Sequence, residues 1–198
     1  MEKETTKYKI LIEALKLFSK YGYEAVTVEQ IADAVGIKAP SLYKHYKSKR
    51  DIFDCILRRM EELDEIRAKE YGMPENIMEG LSIKNTHASI ESIRMYSEAQ
   101  FLYWTEDEFA SAFRKMLTIE QYKSEEMSDL YYQYISIGPL NYMSDIFGQI
   151  TGNKEKGKML AVEFYSPMFL CYSLYDAAKD SIEKQNVINI LKTNIENK

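Results

Sequence analysis

Residues 27–46 read TVEQIADAVGIKAPSLYKHY and carry the signals for two short helices joined by a tight turn. Thr27 and Gln30 have capping-box spacing, which predicts that a helix begins at Thr27. Gly36 is free to take the left-handed conformation that ends such a helix. Pro40 suits the first turn of the next helix, which we expect to run to the end of this stretch. The pair has the dimensions of a helix-turn-helix motif.

The residues around this turn have the sizes and the apolar character that two closely packed helices require. Ala32 is small at the position where the helices would press together, and Val35 and Leu42 supply apolar contacts. Tyr43 and Tyr46 could also serve as core aromatics of a purely structural head. Of these two, Tyr46 is the one that we most readily assign to the core.

Helices are predicted on both sides of the motif. Upstream, apolar residues recur with helical spacing until Gly22, so a first helix is expected over residues 5–21. Downstream, Ser48 and Asp51 again have capping-box spacing, and an apolar stripe follows them. A fourth helix is therefore expected over about residues 48–71.

The rest of the chain follows helical patterns and no strand pattern competes, so we expect an all-α fold. Capping-box spacing predicts two further helix starts, at Thr105 and at Thr118, and a short helix is expected near residues 77–83. Loops are expected at Gly138 with Pro139 and at residues 148–153. Residues 159–175 are apolar on nearly every side, which predicts a helix buried all round with a kink at Pro167.

Charge is divided unevenly along the chain. Residues 1–50 hold ten Lys and Arg against six Asp and Glu, whereas residues 51–198 hold 16 against 25. A basic segment ahead of an acidic remainder is typical of a small head that binds a polyanion. We therefore expect an N-terminal domain over residues 1–50 and a C-terminal helical domain over residues 51–198, connected by the fourth helix.

Composition indicates a globular protein. Of the 198 residues, 45% are hydrophobic and 29% are charged, which excludes low-complexity and disordered classes. Cys55 and Cys171 are too few and too far apart for a disulfide framework or a Cys-x-x-Cys pair. The charged N-terminus and the lack of a long apolar run lead us to expect a soluble, cytoplasmic protein without membrane association.

The head resembles the signature of the TetR/AcrR family over about residues 8–60. The resemblance is carried by residues 10–18, 22–23, 27–32, 36–37 and 41–49. It implies a homodimeric transcription regulator, usually a repressor, whose partners are a double-stranded DNA operator and a small-molecule effector. The remaining two-thirds of the chain matches the family only in being helical.

Carried over position by position, the resemblance also implies the DNA contacts. Thr27 would contact phosphate at the start of the second helix. Base edges would be faced by Lys38, Ala39, Pro40 and Lys44, and the DNA backbone would be held by Ser41, Tyr43, His45 and Lys49. The chemistry agrees, since Lys44 is long enough to reach guanine acceptors and Lys49 lies at the positive end of the fourth helix.

Two apolar segments of the C-terminal domain predict a homodimer, because one chain cannot cover both faces of residues 159–175. Two copies of that helix and of the helix after Pro139 would form a symmetric four-helix interface. The expected interface residues are Leu140, Met143, Phe147, Phe169 and Tyr172. Two-fold symmetry would match a palindromic operator.

The C-terminal domain has more aromatic side chains than a few packed helices need, which predicts an apolar pocket for an aromatic or lipophilic effector. The expected lining residues are Tyr96, Phe101, Trp104, Phe113 and Met168. Glu163 stands out because it lies on the most apolar helix. An unpaired carboxylate there would need Arg94, Arg114 or a cationic ligand as its partner.

The alternative function is a helical small-molecule-binding enzyme, or a binding module without DNA binding. The sequence has no glycine-rich phosphate loop, no His-Glu-x-x-His and no nucleophile elbow. We therefore assign no catalytic residue, no metal ligand and no cofactor. The presence of Thr27, Tyr43 and Lys49 disfavours a module that has lost DNA binding.

Overall fold

The computed structural model of the protein describes residues 5–71, 73 and 90–196. Within these residues every regular element is an α-helix, which confirms the predicted all-α fold. The ten helices found there are α1 Thr6–Tyr21, α2 Val28–Val35, α3 Ala39–Leu42, α4 Lys49–Glu70, α5 Ile90–Glu106, α6 Glu108–Glu120, α7 Glu125–Tyr134, α8 Ile137–Thr151, α9 Lys154–Ala177 and α10 Ser181–Glu196. The short helix predicted near residues 77–83 lies outside the described residues.

The chain divides into two compact units. One unit comprises Met1–Asp64 and Glu108–Tyr131, and the other comprises Glu65–Asp107 and Tyr132–Lys198. Helices α4 and α7 each cross the division. The functional boundary that we predict at residue 50 stays a prediction.

Helix α1 forms where the sequence predicts it. The Thr5 hydroxyl oxygen accepts a hydrogen bond from the Tyr8 N–H at 3.2 Å, which caps the helix, and Ile10 and Phe18 are completely buried. Gly22 has φ 86°, and its N–H donates to the Phe18 carbonyl at 2.9 Å. Glycine takes this positive φ at little cost, so the helix ends there.

Helix α4 begins at the predicted cap. Ser48 Oγ accepts from the Asp51 N–H at 3.1 Å. The Asp51 carboxylate accepts from the Lys47 N–H at 2.8 Å, so the cap reaches one residue further back than a standard capping box. Along the helix Ile56 and Met60 are completely buried.

Two predicted helix starts are wrong. Thr105 lies inside α5 and its hydroxyl donates to the Phe101 carbonyl at 2.7 Å, while Thr118 lies inside α6 and donates to the Arg114 carbonyl at 2.8 Å. A threonine that bonds back to the preceding turn is accommodated within a helix, and its spacing alone does not distinguish it from a cap. Helix α7 instead follows Ser124, whose Oγ accepts a backbone N–H at 3.2 Å.

The two predicted glycine loops are largely helical. Gly138 and Pro139 lie in the first turn of α8, where the missing proline N–H costs no helical hydrogen bond. Gly148 lies within α8. Gly152, at φ 63°, is the residue that ends this helix.

Helices α8 and α9 pack so closely that one position requires glycine. A Cβ atom on Gly157 of α9 would collide with the backbone of Gly148 in α8 and would lie 2.7 Å from the Ser144 carbonyl oxygen. Real Cβ atoms do not approach backbone atoms this closely. The missing side chain of Gly157 therefore sets the approach of the two helices.

Helix α9 is buried on one face only in the single chain, and burial of its other face by a second copy stays a prediction. One face buries residues that include Ala161, Phe164, Met168 and Cys171. The opposite face exposes a set of apolar side chains, Met159, Val162, Phe169, Leu170 and Leu174, which we call the α9 outer face. Across residues 5–71 and 90–196, no helix combines the length and hydrophobicity needed to cross a bilayer.

We expect Gly157→Ala to lower the free energy of unfolding by about 1–3 kcal/mol, because the added methyl group overpacks backbone that can yield only by separating α8 from α9. Gly148→Ala is the matched control, since its Cβ would meet only the Lys154 Cα at an ordinary 3.7 Å. Urea unfolding at one protein concentration measures both variants. Equal stability of the two would contradict the close packing.

Candidate nucleic-acid interface

Local hydrogen bonds build the predicted helix-turn-helix from α2, Gly36 and α3. Thr27 Oγ1 accepts from the Gln30 N–H at 3.2 Å, and Gln30 Oε1 accepts from the Thr27 N–H at 2.8 Å, so the predicted capping box is confirmed. Gly36 has φ 79° and ψ 30°, the predicted left-handed conformation. The Ile37 N–H then donates to the Ala32 carbonyl at 2.9 Å and closes the turn.

Buried side chains hold the two helices in place. Ala32 and Leu42 are at most 1% exposed, as the close approach of α2 and α3 requires. Tyr46 is also buried, and its hydroxyl donates to the Lys7 carbonyl at 3.0 Å. Burial raises the pKa of Tyr46 well above its ordinary value. Tyr46 is therefore a core residue of the head.

Helix α3 is shorter than predicted but presents the predicted residues. It ends at Leu42, and the next four residues continue as turns whose N–H groups donate to carbonyls three or four residues back. Pro40 lies in the first turn, as predicted. The exposed candidates are Thr27, Lys38, Pro40, Tyr43, Lys44 and His45, while Ala39 and Ser41 are half-buried.

The ammonium of Lys49 is engaged within the head. It donates to the carbonyl oxygens of Tyr23, Val26 and Glu24 at 2.8, 3.0 and 3.4 Å, and it lies 4.3 Å from the centre of the Tyr23 ring. An ammonium has three protons, and these three carbonyls use them. This geometry differs from the phosphate contact implied by the family resemblance, which stays untested. Lys49 positions the loop that precedes α2.

The same loop is held by a buried carboxylate that sequence reasoning missed. Glu120, at the end of α6, is 1% exposed, and its Oε1 accepts from the Tyr23 N–H at 3.2 Å and from Lys123 Nζ at 2.7 Å. A Cβ on Gly22 would lie 2.5 Å from this carboxylate oxygen, so the absence of a side chain there makes room for it. The partners Tyr23 and Glu120 are 97 residues apart, and no local pattern announces them.

A second link joins the start of α4 to α7. Arg50 donates to both carboxylate oxygens of Glu126 at 2.6 and 2.9 Å, and to Asp54 at 2.7 Å. The hydrogen bond from Arg50 lowers the pKa of Glu126 below its ordinary value. Both partners are about half exposed, so the pair contributes orientation more than stability.

Comparisons with known proteins agree with this geometry. Residues 10–56 match the family model of bacterial regulatory proteins, tetR family. Over 59 residues the chain is 39% identical to the HTH-type transcriptional repressor ComR of Escherichia coli (30% of this chain, 27% of ComR). Over 48 residues it is 46% identical to IcaR, the negative regulator of the icaADBC biofilm operon of Staphylococcus aureus (24% of this chain, 26% of IcaR). The head therefore resembles that of TetR-family regulators.

The sequence match spans about a quarter of the length of these curated relatives. SmeT, the repressor of the Stenotrophomonas maltophilia multidrug efflux pump SmeDEF, superimposes with a TM-score of 0.59 at 17% identity. The superposition covers 100% of this chain and 92% of SmeT. It confirms the expected fold, a helix-turn-helix head followed by a helical C-terminal part.

The predicted effector residues are buried in the single chain, with one exception. Tyr96, Phe101, Trp104, Phe113 and Met168 are all at most 6% exposed. Glu163 instead lies exposed among the residues of the α9 outer face. In the single chain water solvates this carboxylate, so it does not need Arg94 or Arg114 as a partner there. Effector binding by the five buried residues and by Glu163 stays a prediction.

The predicted interface residues differ in exposure. Phe169 is 44% exposed on the α9 outer face, and Leu140 is half-buried. Met143, Phe147 and Tyr172 are at most 8% exposed, and they lie in the core of their own chain. Phe147 packs edge-on against Phe164, with ring centres 5.5 Å apart. Only the first two residues offer substantial surface to a partner.

We expect Lys49→Met to lower the free energy of unfolding by about 1–3 kcal/mol, because three loop carbonyls lose their donor. Lys47→Met is the control, since the Lys47 side chain is exposed and its change should stay within about 0.5 kcal/mol. Thermal and urea unfolding without DNA measure both variants. Wild-type stability of Lys49→Met would show that its bonds to the loop are not needed.

Proposed function

We propose that this chain is a transcriptional repressor that binds a palindromic operator as a homodimer and releases it when a small molecule binds. The observation that carries the proposal is one exposed surface, formed by α3 and the start of α2. On this surface of the basic head lie two lysines, a histidine and two hydroxyl groups. The relatives ComR and IcaR are named as transcriptional repressor and negative regulator, which supports the repressor role. Action on DNA places the protein in the cytoplasm.

Each exposed residue has a chemical role in this proposal. The Thr27 oxygen caps α2, which leaves its hydroxyl proton to donate to a phosphate. Lys38 and Lys44 reach base edges, while Ala39 and Pro40 offer apolar contact such as a thymine methyl accepts. Ser41, Tyr43 and His45 donate to the DNA backbone. Lys49 acts through the loop that it holds.

DNA binding should show a steep salt dependence. For about six phosphate contacts, the logarithm of the association constant should fall against the logarithm of salt concentration with a slope of roughly −5. Lys44→Ala should cost about 1–3 kcal/mol of operator affinity and relax base preference at one or two positions. Lys158→Ala, an exposed lysine of α9, is the charge-matched control and should bind like the wild type.

Fluorescence anisotropy with the DNA upstream of the protein's own gene measures these affinities. Scrambled DNA of the same length gives the non-specific reference. Undiminished operator affinity in a Tyr43→Ala, Lys44→Ala double variant would contradict the assignment of α3 as the recognition helix.

The α9 outer face supports the homodimer. Its five apolar side chains are 41–66% exposed in the single chain, and a group of exposed large apolar side chains on one helix face is typical of an interaction surface. A second copy related by a two-fold axis would cover it with the same face. The two heads would then reach adjacent major grooves, about 34–36 Å apart on one side of the operator.

We expect Phe169→Glu to yield monomers with much weaker operator binding, because it buries a carboxylate in an apolar interface. Tyr122→Glu is the matched control, since Tyr122 is 88% exposed and belongs to the other unit of the chain. Sedimentation velocity over a range of concentrations measures the state of association. A wild-type protein that remains monomeric throughout would remove the dimer from the proposal.

An effector would act through the helices that hold the head. Glu120 of α6 and Glu126 of α7 bind the loop before α2 and the start of α4, so a shift of these helices changes the placement of α3. A ligand can shift that equilibrium only by its difference in affinity for the two states. We propose an aromatic or lipophilic effector, and the complex of SmeT with triclosan supports this class.

An enzyme remains the second candidate only for the C-terminal helices. Within the described residues, no group of three or more His, Cys, Asp or Glu side chains could hold a metal ion. A substrate would have to be turned over by isolated carboxylates. A regulator should bind DNA specifically and release its small molecule chemically unchanged, whereas an enzyme should convert that molecule.

A further inference from the structure

Helix α4 carries a cation where its buried face predicts an apolar side chain. Ile56 and Met60 of this face are completely buried. Arg67 follows Met60 by seven residues, which is two helical turns further along the same face. Arg67 is half-buried, so its charge is partly removed from water and needs partners.

The partners that Arg67 has are neutral. Its Nε donates to Gln100 Oε1 at 3.0 Å, and its Nη2 donates to the Ala99 carbonyl oxygen at 2.9 Å. Gln100 Nε2 donates in turn to the Tyr96 hydroxyl at 2.8 Å, which keeps the amide oxygen directed at Arg67. The Tyr103 ring lies against the guanidinium, with its centre 4.1 Å from Cζ.

One edge of the Arg67 guanidinium makes no complete pair of hydrogen bonds among the described residues. The two hydrogen bonds use the Nε–Nη2 edge, and among the described residues no carboxylate lies within 4.0 Å of Arg67 and no acceptor faces Nη1. Arg50, by contrast, has two carboxylate partners, Glu126 and Asp54. The Nη1–Nη2 edge is one of the two that bind a carboxylate with two parallel hydrogen bonds.

We propose that Arg67 binds the carboxylate of an amphipathic acid whose apolar body lies against the neighbouring tyrosine rings. One guanidinium neutralises one negative charge, so a monoanionic carboxylate fits better than a phosphate dianion. Tyr103 and Tyr71, whose ring centres lie 4.1 and 6.0 Å from the Arg67 Cζ, favour an apolar or aromatic body. The inference rests on the effector binding proposed above, and it gives that effector a negative charge.

Matched acids and alcohols test the carboxylate directly. Decanoate is compared with 1-decanol, and 2-naphthoate with 2-naphthalenemethanol, by calorimetry on the full chain. Trp104 fluorescence provides a second readout, because its ring centre lies 6.0 Å from that of Tyr103. Each acid should bind at least about tenfold more tightly than its alcohol, since only the acid forms the charge-assisted pair.

Three variants assign the preference to Arg67. Arg67→Met should bring the affinity of each acid down to that of its alcohol, and Arg67→Lys should keep only part of the preference, because a lysine lacks the two-donor edge. Arg58→Met, an exposed arginine of the same helix, should keep the full preference. Circular dichroism and melting check folding, and if Arg67→Met does not fold, the partial loss in Arg67→Lys decides the assignment.

Equal affinities of acid and alcohol in the wild type, no binding of either acid up to about their solubility limits, or a preference that survives Arg67→Met would each overturn the Arg67 site. Operator release is measured separately by anisotropy. Acids that bind through Arg67 but leave the operator occupied would overturn their role as effectors while the site itself stands. Failure of operator binding together with an Arg67-dependent acid preference would overturn the proposed repressor alone.

Discussion

The loop between α1 and α2 is held from two directions, and the placement of the head depends on this double anchor. Lys49 donates to three of its carbonyl oxygens, and the buried Glu120 carboxylate accepts its Tyr23 N–H. Backbone groups in an irregular loop have no helical partner, so these side chains replace one. Because α2 begins directly after the loop, the direction of α2 and then of α3 follows from these bonds.

This anchor also connects the head to two helices that lie far from it in sequence. Glu120 belongs to α6 and Glu126 to α7, and both residues lie in the same compact unit as the head. The exposed Arg50–Glu126 pair contributes little net stability, whereas the buried Glu120 leaves polar groups unpaired if it withdraws. A displacement of α6 is therefore costly unless the loop moves with it.

Two helices depart from the usual distribution of apolar and polar side chains, and the proposed dimer interface and carboxylate site rest on these departures. The α9 outer face exposes apolar side chains where a solvent-facing helix normally has polar ones. Arg67 places a charge where the buried face of α4 otherwise has apolar ones. Departures of this kind lower stability in the isolated chain, so they are expected where a partner or a ligand completes the structure.

The sequence by itself determined the helix-turn-helix, because its signals are local: the Thr27 and Gln30 cap, the left-handed Gly36 and the proline at the start of α3 each act within a few residues. It also determined the all-α class through helical periodicity. It did not distinguish the caps predicted at Thr105 and Thr118 from hydroxyls that bond back within a helix, since both have the same spacing. Only the tertiary structure decided that Lys49 and Glu120 hold one loop, that Glu163 faces water and that Arg67 meets no carboxylate among the described residues. Those outcomes depend on contacts between residues that are far apart in sequence, and the spacing of apolar residues along the chain does not predict such contacts.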